Sequence, residues 1–277
     1  ETDYQTRLGA MRKLGYEIPQ QDIAVLKDFL VAEIPADVKI PRGAYNSIRN
    51  DLYEVLLRQK EMPEGLGDLL TGVVNNPDQD GMWRNYCIQF MAPCYERLTT
   101  EYTENTEGDL ATKNTKEHEE RTSVNPVASS VAGGEIAELK AVRESLWNAL
   151  DERDNSNAGT ALLGLDKLSR NHPEFEREQI DAAMLDLASD NEASVANRIT
   201  ALRLCGERGN DQALETARAL AQNGDTTMLR CAAIATLGEL GTEEDLALLE
   251  TYAASADERI QRIQRIAQNS LEKLASE

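Results

Sequence analysis

Apolar residues recur at spacings of three and four along most of the chain, which predicts amphipathic helices. In the second half Leu139, Val142, Leu146 and Leu150 form one stripe, and Ile199, Leu202 and Cys205 another. Leu214, Ala217 and Leu220 follow, then Leu246, Leu249 and Tyr252, and finally Ile260, Ile263, Ile266 and Leu274. Asn171-His172-Pro173, Gly209-Asn210-Asp211, Asn223-Gly224-Asp225 and Gly241-Thr242 separate the stripes as turns. Asp225 and Asp257 stand where N-caps belong, and Thr242 with Asp245 reads as a capping box. Short helices joined by short turns predict antiparallel neighbours. No stretch alternates at period two long enough for a convincing strand.

Residues 1–97 predict helices as well, but irregular ones. Their stripes are Tyr4, Leu8 and Met11; Ile23, Leu26 and Leu30; Tyr45, Ile48, Leu52 and Val55; Leu66, Leu69 and Val73; and Trp83, Cys87, Phe90 and Cys94. Pro35, Pro41, Pro63 and Pro77 sit in the joints. Residues 98–134 are rich in Thr, Asn, Glu, Ser and Gly and predict a polar linker or long loop, free in solvent or laid in a groove. The expected organisation is therefore an irregular helical domain over 1–97, a polar segment over 98–134 and a repeat domain over 135–277.

The repeat is visible on sliding the sequence by 32 residues. Arg198 then falls on Arg230, Gly206 on Gly238, Glu207 on Glu239, Gly209 on Gly241 and Leu214 on Leu246. A period in the low thirties with two helices per unit is a solenoid signature. Sliding by 146 places Arg84, Ile88, Met91 and Ala92 on Arg230, Ile234, Leu237 and Gly238, so the fifth stripe reads as a degenerate unit of the same kind.

Leu229–Leu249, LRCAAIATLGELGTEEDLALL, resembles a HEAT-like repeat of the PBS-lyase type through Arg230, Ala232, Ala233, Leu237, Gly238, Leu240 and Gly241. The resemblance is clearest over residues 198–250. It implies an all-α fold, an α-solenoid of stacked antiparallel helix pairs. It is nearly silent on activity. Ala232 and Ala233 are expected to admit close helix neighbours, Gly241 to end its helix in the left-handed conformation, and Arg230 to staple adjoining units. Relatives with such repeats include bilin lyases, metal hydroxylases and DNA glycosylases. The hydroxylases carry several His-Glu pairs, and this chain has one, His118-Glu119.

Composition narrows the function classes. Lys and Arg number 29 against 49 Asp and Glu, a net charge of −20. That balance argues against nucleic acid as a partner. Residues 135–277 hold most of it, with 15 basic and 27 acidic groups, which implies a cationic partner surface or serves solubility alone. No apolar run approaches the length of a membrane span. His118 and His172 have no partner at metal-ligand spacing, and there is no phosphate loop or nucleophile elbow. No catalytic, cofactor-binding or metal-binding residue is assigned, and binding residues stay unassigned. Trp83, Tyr86, Trp147 and Tyr252 are candidates for a contact surface, with core packing the stronger expectation for Trp83 and Trp147.

Cys87 and Cys94 are seven residues apart, about 10 Å along a helix at 1.5 Å per residue. That exceeds the roughly 7 Å a disulfide spans. Cys205 and Cys231 would stand about 9 Å out of step in stacked helices. Four core thiols are expected. The chain starts at Glu1 without Met, which suggests a processed exported protein, periplasmic or extracellular, with the cytoplasm as the alternative. The functional expectation is a non-catalytic protein–protein interaction or scaffolding module, with a protein or peptide partner and no cofactor. The alternative is an enzyme or chromophore-handling protein related to the HEAT-repeat lyases.

Overall fold

The computed structural model describes residues 4–11, 13–34, 41–113 and 137–275. Among them are thirteen α-helices and no strand. The chain divides into two compact units, residues 1–146 and 147–277. Pro35, His118-Glu119 and residues 114–134 of the expected polar segment lie outside the described residues.

The first unit holds α1 (Tyr4–Met11), α2 (Gln20–Val31), α3 (Arg42–Leu57), α4 (Leu66–Val74), α5 (Gly81–Lys113) and most of α6 (Ala137–Asn148). Helix α3 packs on α1, α2 and α5, and α4 packs on α5. Leu30, Leu52, Leu56, Leu66, Leu70, Trp83, Ile88 and Met91 fill the core between them. The helix expected over Trp83–Cys94 continues through Pro93 and past residue 98 to Lys113. Its last turns carry no apolar stripe, so they read as loop in sequence. Helix α4 begins after Gly65, which offers no capping side chain. Glu138 supplies the cap from α6, its Oε1 accepting from the N–H of Gly67 at 2.7 Å and of Asp68 at 3.3 Å. A carboxylate there meets the unpaired donors and positive end of the helix. Asn75 donates to Ser145 Oγ at 2.9 Å. These bonds explain why α6, whose stripe continues the repeat periodicity, is held by the first unit up to Leu146.

The second unit repeats one motif. Its helices are α7 (Asn157–Ser169), α8 (Arg177–Ser189), α9 (Val195–Arg208), α10 (Leu214–Asn223), α11 (Thr227–Leu240), α12 (Glu243–Thr251) and α13 (Glu258–Ala275). The alternate helices α7, α9, α11 and α13 lie side by side, while α8 packs on α9, α10 on α11 and α12 on α13. Helices α9, α11 and α13 run parallel. The Thr236 hydroxyl donates to Leu202 O at 3.1 Å, and that of Thr227, at the start of α11, to Asp257 at the start of α13 at 3.0 Å.

The recurring arginine has a mechanical role. Arg198, with 2% exposure, donates Nε to Ala188 O near the end of α8 at 3.3 Å and Nη2 to Asn191 Oδ1 at 2.9 Å. Arg230, one period later, donates Nε to Ala221 O near the end of α10 at 3.2 Å and lies over the Tyr252 ring. Each guanidinium meets a helix end whose last four carbonyls have no intrahelical donor. Arg84 grips Val74 O, the last carbonyl of α4, through Nε at 3.0 Å and Nη2 at 2.6 Å. Arg49 reaches Ala32 O at the end of α2 and stacks between Tyr45 and Trp83.

Two further ion clusters join helices of successive repeats. Arg208 ends α9 and binds Asp166 of α7 at 2.8 Å and Asp181 of α8 at 2.5 Å. Arg218 of α10 holds both oxygens of Asp245, at 2.7 and 2.9 Å. The same carboxylate accepts from the Thr242 N–H at 2.9 Å and closes the expected capping box. Burial pushes the Asp245 carboxyl up, but Arg218 and Thr242 outweigh it and hold the group below its ordinary value.

Three local expectations are corrected. Gly241 is extended at φ −65° and ψ 170°, because the capping box directs the chain into α12 at once. A Cβ on it would stand 2.4 Å from Leu237 O, so close approach rather than a positive φ selects glycine there. The left-handed helix end is Gly209, at φ 68°. The N-cap of α11 is Thr226, which accepts from Leu229 N at 3.2 Å, while Asp225 faces Arg198. Finally, Ala233 is buried as expected, whereas Ala232 is half-buried and faces an open groove.

Candidate functional site

The parallel run of α9, α11 and α13 leaves a groove of about 630 Å³ on its outer face. Cys231, Ala232 and Ala235 line its floor, Ile199 and Ile263 its sides, and Met228 and Ile266 stand at opposite ends. Met228 is 59% exposed and Ile266 58% exposed, and both border the same apolar trough. The trough follows from side-chain size. Ala232 and Ala235 are short, so the middle helix stays low between the Ile199 wall of α9 and the Ile263 and Ile266 wall of α13.

Charged residues form the rim. Arg203 and Glu207 of α9 pair with each other at 3.3 Å, Glu239 stands on α11, and Arg259 and Arg262 stand on α13. Arg259 lies 3.7 Å from Asp257, whose carboxylate also accepts from the Arg259 N–H and the Thr227 hydroxyl. The floor has one thiol. Burial, with Asp257 adding to it, pushes Cys231 above its ordinary value. Among the described residues that line the groove, the thiol of Cys231 is the one nucleophile.

The four cysteines are free thiols; Cys87, Cys94 and Cys205 are buried and Cys231 is half-buried. Burial pushes Cys94 and Cys205 up to about 12. The aromatic candidates do not gather into a surface. Trp83 and Tyr252 are buried, Tyr86 and Trp147 half-buried, and none of the four lines the groove. His172 sits in its turn 3.6 Å from Glu174. Among the described residues no group of three or more His, Cys, Asp or Glu is placed to hold a metal ion. None of their helices is long and apolar enough to cross a membrane. A second cavity, about 390 Å³ in the first unit, is lined by Glu17, Glu61, Glu64 and Lys60 among others, and its charges are largely paired or solvated.

Sequence reasoning missed the groove. The available signal was the spacing of Ile260, Ile263 and Ile266. Steps of three fall short of a helical turn by about 60° each, so Ile266 points well away from buried Ile260.

The sequence matches no curated protein. The solved structure of human deoxyhypusine hydroxylase in complex with glycerol is similar at 14% identity, covering 98% of this chain and 97% of that one with a TM-score of 0.37. That likeness is too slight to carry residues or activity across. The family model for HEAT repeats matches residues 182–270. The match runs from within α8 to within α13, the stretch that holds the Arg198 and Arg230 staples, the capping box of α12 and the groove, and it is to HEAT repeats that these residues are similar.

Proposed function

We propose that this protein is a non-catalytic interaction module whose repeat unit presents the α9–α11–α13 groove to another protein. The observation that carries this reading is the pairing of an apolar floor with two large exposed apolar side chains, Met228 and Ile266, at its ends. Interfaces of this kind anchor on apolar side chains set in pockets and ringed by polar residues. The charges placed in the second unit support the scaffold reading for a different reason. Arg198, Arg208, Arg218 and Arg230 hold helix ends or buried carboxylates, so they brace the repeat and leave the groove to bind.

The test is affinity capture from native cells with the wild-type chain and a Met228→Glu, Ile266→Glu variant as paired baits, followed by titration of each purified partner. At least one partner is expected to bind the wild type and to lose tenfold or more in affinity for the variant. Partners that bind both chains equally would sink the reading. Two exposed substitutions leave the core intact, and circular dichroism checks that the variant keeps its helices.

A further inference from the structure

We infer that the occupant of the groove is an amphipathic α-helix of a partner protein with acidic residues along one edge. This rests on the interaction-module reading above and goes on to name the partner's chemistry. Shape gives the first argument. Met228 stands two residues into α11 from Thr226, and Thr227 of α11 is level with Asp257 of α13. Met228 is therefore level with about Glu258, eight residues before Ile266. At 1.5 Å per residue that is about 12 Å. A docking helix lying along the groove covers that distance between its i and i+7 or i+8 positions, which share a face.

Hydrogen bonding gives the second argument. The walls of the groove are helices, whose backbone groups are already paired. Thr236 spends its hydroxyl on Leu202 O and Ala232 O, and Thr227 spends its own on Asp257. An extended segment would bury backbone donors and acceptors with nothing to meet them. A helix brings its backbone bonds with it.

Charge gives the third. Residues 135–277 carry a large acid excess, yet the groove is lined by three Arg and two Glu. Glu207 already offsets Arg203 at 3.3 Å. Asp257 is committed to two hydrogen-bond donors as well as to Arg259. The α13 wall thus presents Arg259 and Arg262, both exposed, beside the apolar floor. On this wall, unlike the α11 side where Glu239 stands, the sign is opposite to the one that the net charge of the chain suggests. A partner helix with Asp or Glu next to its apolar anchors meets that wall, and one with Lys or Arg there is repelled.

The experiment is a display selection on the full chain from an 18-residue helical library with apolar residues fixed at i, i+4 and i+8 and the flanking positions randomised. Enriched peptides are synthesised and titrated by fluorescence anisotropy against the wild type, Met228→Glu with Ile266→Glu, and Arg259→Glu with Arg262→Glu. The expected binders carry Asp or Glu on one edge and become helical on binding. They weaken about fivefold to tenfold on the charge-reversed chain at low ionic strength, and less in 0.5 M salt. Selection on the charge-reversed chain is expected to return Lys or Arg at the same positions. Binders that need Met228 and Ile266 but are basic, uncharged at the edge or extended would overturn this inference and leave the interaction reading standing. A selection with no binder dependent on Met228 and Ile266 would overturn both.

Discussion

Gly206 and Gly238 occupy the same place in successive repeats, 32 residues apart and each two residues before the last residue of its helix, α9 or α11. Replacing either with alanine removes the same backbone freedom, and in an open helix that gains about 1 kcal/mol. What differs is the clearance. A Cβ on Gly206 would lie 3.3 Å from Glu239 Cβ and Cγ, so the neighbour must give by a few tenths of an ångström. A Cβ on Gly238 would lie 2.7 Å from Ala267 Cα and 2.9 Å from its Cβ. Carbon atoms settle at about 3.5–4.0 Å. Helices α11 and α13 would therefore have to part by about 1 Å along a buried seam. Overpacking of this kind costs about 1–3 kcal/mol. Gly206→Ala is expected to stay within about 0.5 kcal/mol of the wild type or to gain slightly, the propensity gain offsetting mild crowding. Gly238→Ala is expected to lose up to about 2 kcal/mol after the same gain. Urea unfolding followed at 222 nm gives both values from the shift in midpoint. If Gly238→Ala proves as stable as Gly206→Ala, the seam is looser than described and the argument from clearance fails.

Other consequences follow from the same packing. Arg198→Met should destabilise the second unit by about 1–3 kcal/mol, because Ala188 O and Asn191 lose a charged donor; Arg198→Lys should recover only part of it in urea unfolding. Asp245 titrates below its ordinary value when folded, so the stability it adds is present above its unfolded pKa of about 3.9 and is lost as pH falls through the lower folded value. The stability gap between wild type and Asp245→Asn should therefore shrink with acid below about pH 4, and a gap that widens there would contradict the assigned pairing. Iodoacetamide at pH 8 should label Cys231 first in the native chain, since the other three thiols are buried. All four should react after unfolding without reductant. Mass spectrometry that finds Cys94 or Cys205 labelled as fast as Cys231 would refute that order.

Residues whose partners lie one helix away were legible in the sequence. The arginine period pointed to a staple because a buried guanidinium near a helix start meets the end of the helix before it. Thr242 and Asp245 declared their cap because both members lie within four residues. Failures began where a distant group decided the outcome. Asp225 and Thr226 are both able to cap, and Arg198 draws Asp225 away. Gly241 has the residue type for a left-handed end, but the next helix starts one residue later. Helix α5 extends past residue 98 without a stripe to announce it. Nothing local in α6 revealed that Glu138 would cap α4 across 71 residues of sequence.

The groove was hidden for a related reason. A periodic apolar stripe says that a helix has an apolar face, but it does not say that a neighbour covers it. On α13 the covered face runs through Ile260, Gln264, Ala267 and Leu271, all buried, at steps of four, three and four. Ile263 and Ile266 belong to an adjacent strip turned toward the groove. Small residues act in two directions here. Gly206 and Gly238 bring the three parallel helices close enough to form a continuous surface, while Ala232 and Ala235 keep its middle low. If the groove depends on that low middle, filling it should abolish binding without touching the rim. Ala235 is exposed, so Ala235→Phe adds bulk to the floor without entering the core. It should leave urea stability within about 0.5 kcal/mol, as exposed substitutions usually do, and displace any helix that anchors between Met228 and Ile266. Retained binding in Ala235→Phe would place the contact on the rim charges alone, and the apolar floor would then have no part in recognition.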